Sequence, residues 1–174
     1  MTRLPIIICL FIYSIIFSQE STDKYEGKTA TIDSTIKTLY SVISGEKGEE
    51  RDWDLMRYIY HPKAKLVATG KNPKGMVGAI FVTPQEYVEN SGKWLIENGF
   101  FEEEIHREVQ VFGNIAQVFS TYQCFKTKTD SEPFMRGINS IQLLNDGNRW
   151  RVVNIFWAQE SDENPIPVEF LLKS

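Results

Sequence analysis

Polar residues set among apolar neighbours are where this chain could do chemistry. Asn139 and Asn154 each interrupt a run of strand-forming residues, in the segments 134–144 and 149–158. A carboxamide donates and accepts hydrogen bonds but is neither acid nor base near neutral pH, so this pair suits orienting a ligand. A second group lies in Glu102-Glu103-Glu104-Ile105-His106-Arg107. Glu103 and His106 are its candidates for a base, and Arg107 is its candidate for stabilising developing negative charge. Ser120 and Tyr122, on the segment that follows, complete the set. There is no glycine-rich phosphate loop, serine elbow or paired metal carboxylates. Two histidines and few cysteines do not make a dedicated zinc site, so no cofactor and no metal is expected.

Strands must position these groups. The two runs around Asn139 and Asn154 flank an Asn145-Asp146-Gly147 turn and predict a long β-hairpin. Gly113-Asn114 likewise joins two long strands, 100–112 and 115–127. Alternation then assigns the faces. With Gly113-Asn114 as the turn, Val111 pairs with Ala116, Val109 with Val118, Arg107 with Ser120, and Ile105 with Tyr122. The inner wall would carry Arg107, Ser120, Tyr122, Asn139 and Asn154, together with Ile141, Val152 and Phe156, and these five polar groups are the expected ligand-binding residues. Glu102, Glu104, His106, Glu108 and Gln110 would face outward, leaving Glu103 as the nearest inner carboxylate. A bulge in either strand would swap the faces and bring in His106, Arg136 and Trp157.

Plainer roles compete for the same residues. Arg107 could pair with Glu103 or Glu86, and Asn139 could satisfy Asn154 across the hairpin. Tyr122 could be core with its hydroxyl at the rim. His61 before Pro62 reads as a helix-end residue, His106 as an exposed one, and the Glu102-Glu103-Glu104 run as a solvated strand segment.

Three helices precede the long strands. Ile32, Ile36, Leu39, Tyr40 and Ile43 recur at helical spacing, and Ser44-Gly45 stops that helix. Asp52 caps a short second helix whose inner stripe is Trp53, Met56, Ile59 and Tyr60, ended by His61-Pro62. Two short strands, 65–69 and 76–82, follow. Thr83, Pro84 and Glu86 then form a capping box with proline at the first helical position, and Asn98-Gly99 closes the third helix. Helices segregated from a strand meander predict an α+β fold.

The N-terminus reads as an export signal over residues 1–19. Arg3 supplies its positive end, the apolar core runs to Phe17, and cleavage falls after Ser18 or Gln19. An uncleaved anchor is the alternative. Secretion or delivery to a periplasm follows, with no membrane association after cleavage. The remainder is one domain long. The net charge of −4, made more negative by loss of Arg3, argues against nucleic acid as a partner. Cys9 leaves with the signal, so Cys124 has no intramolecular partner and reads as a buried strand thiol, a Cys124-linked dimer being the alternative.

Five stretches carry a resemblance. They are Trp53–Tyr60 with His61-Pro62-Lys63-Ala64-Lys65-Leu66, Gly99-Phe-Phe-Glu-Glu-Glu-Ile-His-Arg107, Phe112-Gly-Asn-Ile-Ala-Gln-Val-Phe-Ser-Thr-Tyr122, Arg136-Gly-Ile-Asn-Ser-Ile-Gln-Leu143 and Asp146-Gly-Asn-Arg-Trp150. In this order they resemble the nuclear transport factor 2-like superfamily, in particular its SnoaL-like branch. The resemblance implies a domain over 28–160, before a tail at 161–174, in which a cone-shaped curved antiparallel sheet wraps three N-terminal helices around a pocket, often in a homodimer formed through the sheet. Ketosteroid isomerase-like members use an inward carboxylate and a hydroxyl-based oxyanion site, and dehydratase-like members use pocket histidines. Neither pattern is evident here. The expectation is therefore a non-catalytic pocket for a small hydrophobic or amphipathic molecule. The alternatives are an isomerase or dehydratase using Glu103 or His106 with Tyr122 or Arg107, and a dimeric interaction module.

Overall fold

In this computed structural model residues 24–72 and 74–171 are described. The expected export signal, Cys9 included, lies outside them. The first helix, α1 (Ile32–Ile43), starts where the Thr31 hydroxyl accepts from the Ser34 N–H while the Ser34 hydroxyl caps the Thr31 N–H in return. α2 (Trp53–Ile59) is capped by Asp52, whose carboxylate accepts from the Leu55 N–H at 2.9 Å. α3 (Pro84–Asn98) has the expected Thr83–Glu86 box, and its C-cap is Gly99 at φ 70°, a backbone angle that only glycine adopts without strain.

Six strands form one curved sheet: β1 (Tyr60–Lys71), β2 (Val77–Val82), β3 (Phe101–Phe112), β4 (Ile115–Phe125), β5 (Met135–Asn145) and β6 (Trp150–Gln159). Their order is β2-β1-β6-β5-β4-β3. Every neighbouring pair is antiparallel except β1 and β6, which run parallel, so the sheet is mixed rather than wholly antiparallel. β1 is also longer than the expected 65–69 segment. It begins directly after α2, and its pairing with β6 skips from Tyr60 to Lys65. Pro62, which has no N–H to give a ladder, sits inside that skip.

The helices cover the inner face of the sheet. α1 contributes Ile36, Leu39, Tyr40 and Val42, α2 contributes Met56 and Ile59, and β4–β6 answer with Val118, Ile141, Leu143 and Val152, all buried. Each such side chain contributes about 1.5–3 kcal/mol by leaving water. Cys124 is fully buried on β4 as a free thiol. The C-terminal tail crosses the outer face. Its 3₁₀ turn at Val168–Phe170 lays Phe170 on Phe119 at a ring separation of 5.0 Å, and the Phe170 carbonyl accepts from the Thr121 hydroxyl at 2.6 Å.

One buried cation fixes how the helices meet the sheet. Arg51 is only 7% exposed. Its guanidinium donates to the carbonyls of Ile43 at 3.2 Å, Gly45 at 2.7 Å and Leu95 at 3.2 Å. It thereby gathers orphan carbonyls from the ends of α1 and α3, where a positive charge also suits both helix dipoles. A Cβ at Gly45 would lie 2.4 Å from Arg51 Nη1, so only glycine admits this approach. Gly45 in turn exchanges two backbone hydrogen bonds with Phe100, at 2.7 and 3.0 Å, and so sets where β3 starts. Arg51→Met should lower unfolding free energy by about 2–4 kcal/mol, because three buried carbonyls lose their donor. Urea denaturation reads this directly, and an unchanged midpoint would refute the role.

Candidate functional site

Two bulges decide what lies inside. On β3 and β4 the predicted pairing holds from the turn inward, Val111 with Ala116, Val109 with Val118 and Arg107 with Ser120. It then breaks. His106 pairs with Thr121 and Glu104 with Tyr122, so Ile105, expected opposite Tyr122, is the extra residue. Beyond the bulge the face is inverted. Glu102 and Glu104 pair with Cys124 and Tyr122 on the inner face, while Glu103 pairs with Gln123 and is exposed. Glu103 is therefore not the inner carboxylate, and Glu102 and Glu104 are not the outward ones. His106 stays on the outer face against Phe170, with ring centroids 6.4 Å apart, and is partly covered rather than exposed. Both residues expected as bases thus lie outside the wall.

The second bulge lies in β6. Gln142 pairs with Asn154 but Leu143 pairs with Val152, which leaves Val153 unmatched. Val152, Ile155 and Trp157 consequently face inward, opposite Leu143, Ile141 and Asn139. Asn154 and Phe156 fall on the outer face, contrary to expectation, and Asn139 and Asn154 are not cross-strand partners. Trp157 enters the wall, as a bulge was expected to allow, whereas Arg136 stays outside, paired with Glu160 at 2.7 Å.

A directed hydrogen-bond chain runs through the inner face. Arg107 holds Glu104 through Nε, at 2.8 Å to Oε1, and through Nη2, and its Nη1 reaches Asp33 at 3.3 Å. Arg107 is thus paired, with Glu104 and Asp33 rather than with Glu103 or Glu86. The Ser120 hydroxyl donates its only proton to Glu104. It must then accept from the Tyr40 hydroxyl, 2.6 Å away. Tyr40 accepts in turn from Asn139 Nδ2 at 3.1 Å, and the second proton on that nitrogen meets Glu102 Oε1 at 3.1 Å. The orientation of the Asn139 amide follows from this order.

Glu102 ends the chain inside a cavity of about 240 Å³. Leu39, Tyr40 and Ile43 of α1 line it, with Met56 of α2 and Tyr60 and Leu66 of β1. Tyr87, Ser91, Trp94 and Leu95 of α3, Phe100, Tyr122, Met135, Asn139, Ile155 and Trp157 complete the wall around Glu102. Among the described residues that line it, Glu102 alone carries a formal charge. Burial pushes its carboxyl up to about 7, opposed by the Asn139 hydrogen bond. Burial also pushes the phenols of Tyr40, Tyr60, Tyr87 and Tyr122 and the Cys124 thiol upward, and the nearby Glu102 carboxylate adds to each shift. Among the described residues nothing bonds the Glu102 Oε2 atom, so one carboxyl oxygen is available to a guest.

Of the expected binding residues, Tyr122 and Asn139 line this cavity. Ser120 and Arg107 support it from the far side of the hydrogen-bond chain, and Asn154 is outside. The residues that sequence reasoning missed are Glu102, the helix-borne Tyr40 and Tyr87, and Tyr60 at the start of β1. One signal was legible: Tyr40 lies in the apolar stripe of α1, where a buried hydroxyl requires a partner.

No family model matches the chain, and no curated protein matches it. Solved structures do share its fold. A protein of unknown function from Mycobacterium tuberculosis is 13% identical, covers 79% of this chain and 75% of its own, and gives a TM-score of 0.58. A protein of cystatin-like fold from Nostoc punctiforme is 10% identical over 75% of this chain and 90% of its own, with a TM-score of 0.57. A nuclear transport factor 2-like superfamily protein from Salmonella enterica serovar Typhimurium is 13% identical over 77% and 88%, at 0.52. The fold is thus the nuclear transport factor 2-like, or cystatin-like, α+β fold.

Two predictions follow from this geometry. Glu102 titrates near 7 when folded and near 4.5 when free, so the folded state holds the extra proton between these values. Its stabilising contribution is complete below pH 4.5 and is lost as pH rises through about 7, by as much as about 3 kcal/mol. Glu102→Gln should flatten this part of the stability–pH curve measured by denaturant titration; parallel curves for both proteins would rule out a raised Glu102. At Gly137 a Cβ would lie 2.4 Å from both the Tyr122 hydroxyl and the Ala158 carbonyl. Gly137→Ala should therefore cost about 1–3 kcal/mol and displace Tyr122, visible as a changed near-ultraviolet circular dichroism spectrum.

Proposed function

We propose that the protein binds a small, mainly apolar molecule carrying one polar group. The observation that supports this most is the wall itself: a cavity of about 240 Å³ whose surface is aromatic and aliphatic except at Glu102, Asn139, Ser91 and the tyrosine hydroxyls. Such a site holds a guest by apolar burial and orients it by a few polar contacts. Native mass spectrometry and thermal shift across a library of hydrophobic and amphipathic compounds test the reading. A ligand at a hundred times its dissociation constant should add about 2.7 kcal/mol of stability. Ser91→Trp, which fills the cavity from α3, should abolish that gain. A broad library with no ligand, or a gain that survives Ser91→Trp, would remove the support.

A second reading is proton transfer on a small organic substrate, as in an isomerase or dehydratase. It is favoured by one observation, the Glu102 carboxyl raised to about 7 beside tyrosine hydroxyls. With Glu103 and His106 on the outer face, the base would be Glu102, and a cavity hydroxyl such as that of Tyr122 would stabilise the oxyanion. For any substrate that turns over, Glu102→Gln should lower kcat by about 10²–10⁴-fold. A loss under tenfold would exclude Glu102 as the base.

Export, and pairing of two copies through the sheet, belong to the same proposal. Apolar surface at Val109, Val111, Phe112 and Ile115 supports pairing. Light scattering that finds only monomer at high concentration would remove the pairing.

A further inference from the structure

We infer that the cavity takes an organic ammonium ion, its positive nitrogen held by the Glu102 carboxylate and by surrounding aromatic faces. This deepens the binding reading and rests on it. Seven of the seventeen described residues that line the cavity are aromatic, and the one formal charge among these is negative. Aromatic faces carry negative potential, so they attract a cation and disfavour an anion. A buried carboxylate served by a single amide hydrogen is also short of countercharge. Wall and carboxylate therefore ask for the same partner, a positive group with apolar substituents. Among the described residues no lysine, arginine or histidine lines the cavity to supply that charge internally. At the rim the surface already accepts an ammonium: Lys126 Nζ lies 4.0 Å from the ring centroid of Trp94, a cavity-lining residue, and 4.5 Å from that of Phe134.

The groups that face Glu102 set the pH dependence. They are Tyr40 from α1, Tyr60 from β1, Tyr87 from α3, Tyr122 and Cys124 from β4, and Asn139 from β5. Burial drives the phenols and the thiol upward, so all stay neutral over the working range, and Glu102 alone changes charge there. A cation binds the ionised carboxylate. Affinity should therefore rise with pH, level off above about 7, and fall about tenfold per unit below it.

The test compares benzyltrimethylammonium with its neutral carbon isostere, neopentylbenzene, by calorimetry on the purified protein at pH 8. The cation should bind at least about tenfold more tightly. Glu102→Gln, confirmed folded by thermal melting, should erase that preference by weakening the cation, while the isostere binds at least as tightly as before, since no carboxylate then has to be desolvated against it. Tyr87→Phe, which keeps the aromatic face, should preserve the preference, and Tyr87→Leu should reduce it. Equal or tighter binding of neopentylbenzene to the unaltered protein overturns the ammonium assignment and leaves the binding reading standing. Failure of both compounds to bind overturns the assignment together with the cavity as their site.

Discussion

The extra residue at Ile105 is the constraint on which the inner face depends. A strand presents alternate side chains to one face, so without a bulge β3 could offer Arg107 or the pair Glu102 and Glu104, never all three. The irregularity between Glu104 and His106 resets the phase within one residue. Arg107 can then reach back to Glu104 from the same face, and Glu102 arrives in the cavity. Arg51 acts upstream of this. By fixing the Gly45–Phe100 bridge it determines where β3 begins and so where the carboxyl of Glu102 ends up.

The two inner carboxylates stand in unlike surroundings. Glu104 accepts from the Arg107 guanidinium and from the Ser120 hydroxyl. Glu102 has one amide hydrogen and an apolar wall, which favours its acid. The chain between them is directional because each hydroxyl has one proton to give. The charge at Glu104 fixes Ser120, Ser120 fixes Tyr40, Tyr40 fixes the Asn139 amide, and that amide presents its remaining proton to Glu102. The site is thus preorganised from a charge pair at the edge of the core, and among the described residues no ionised partner stands beside Glu102 itself. A satisfied network of this kind specifies one arrangement, while the unbonded oxygen of Glu102 remains for a guest.

The nuclear transport factor 2-like cone hosts many unrelated roles, and the three solved structures compared above are 10–13% identical to this chain. The site of this chain is defined locally, by the Glu102 carboxylate facing aromatic rings while Glu103 and His106 turn outward.

Element order, the three helix starts, the Gly113-Asn114 and Asn145-Asp146-Gly147 turns and the α+β class were legible in the sequence, because caps, turn residues and apolar periodicity act within a few residues of one another. The inward placement of Ser120, Tyr122 and Asn139 was legible too, since β4 and β5 keep strict alternation. The rest was not. A bulge is a property of two paired strands, and nothing in the residues around Ile105 or Val153 announces one. Each bulge inverts every assignment beyond it, which moved Glu102 and Trp157 inward and left Glu103, Asn154 and Phe156 outside. The parallel pairing of β1 with β6, and the arrival of Tyr40, Tyr60 and Tyr87 around one carboxyl, likewise depend on contacts between residues far apart in the chain. The sequence by itself determined which elements form and where they end; only the tertiary structure decided which side chains share a face, because phase along a strand is set by its partner.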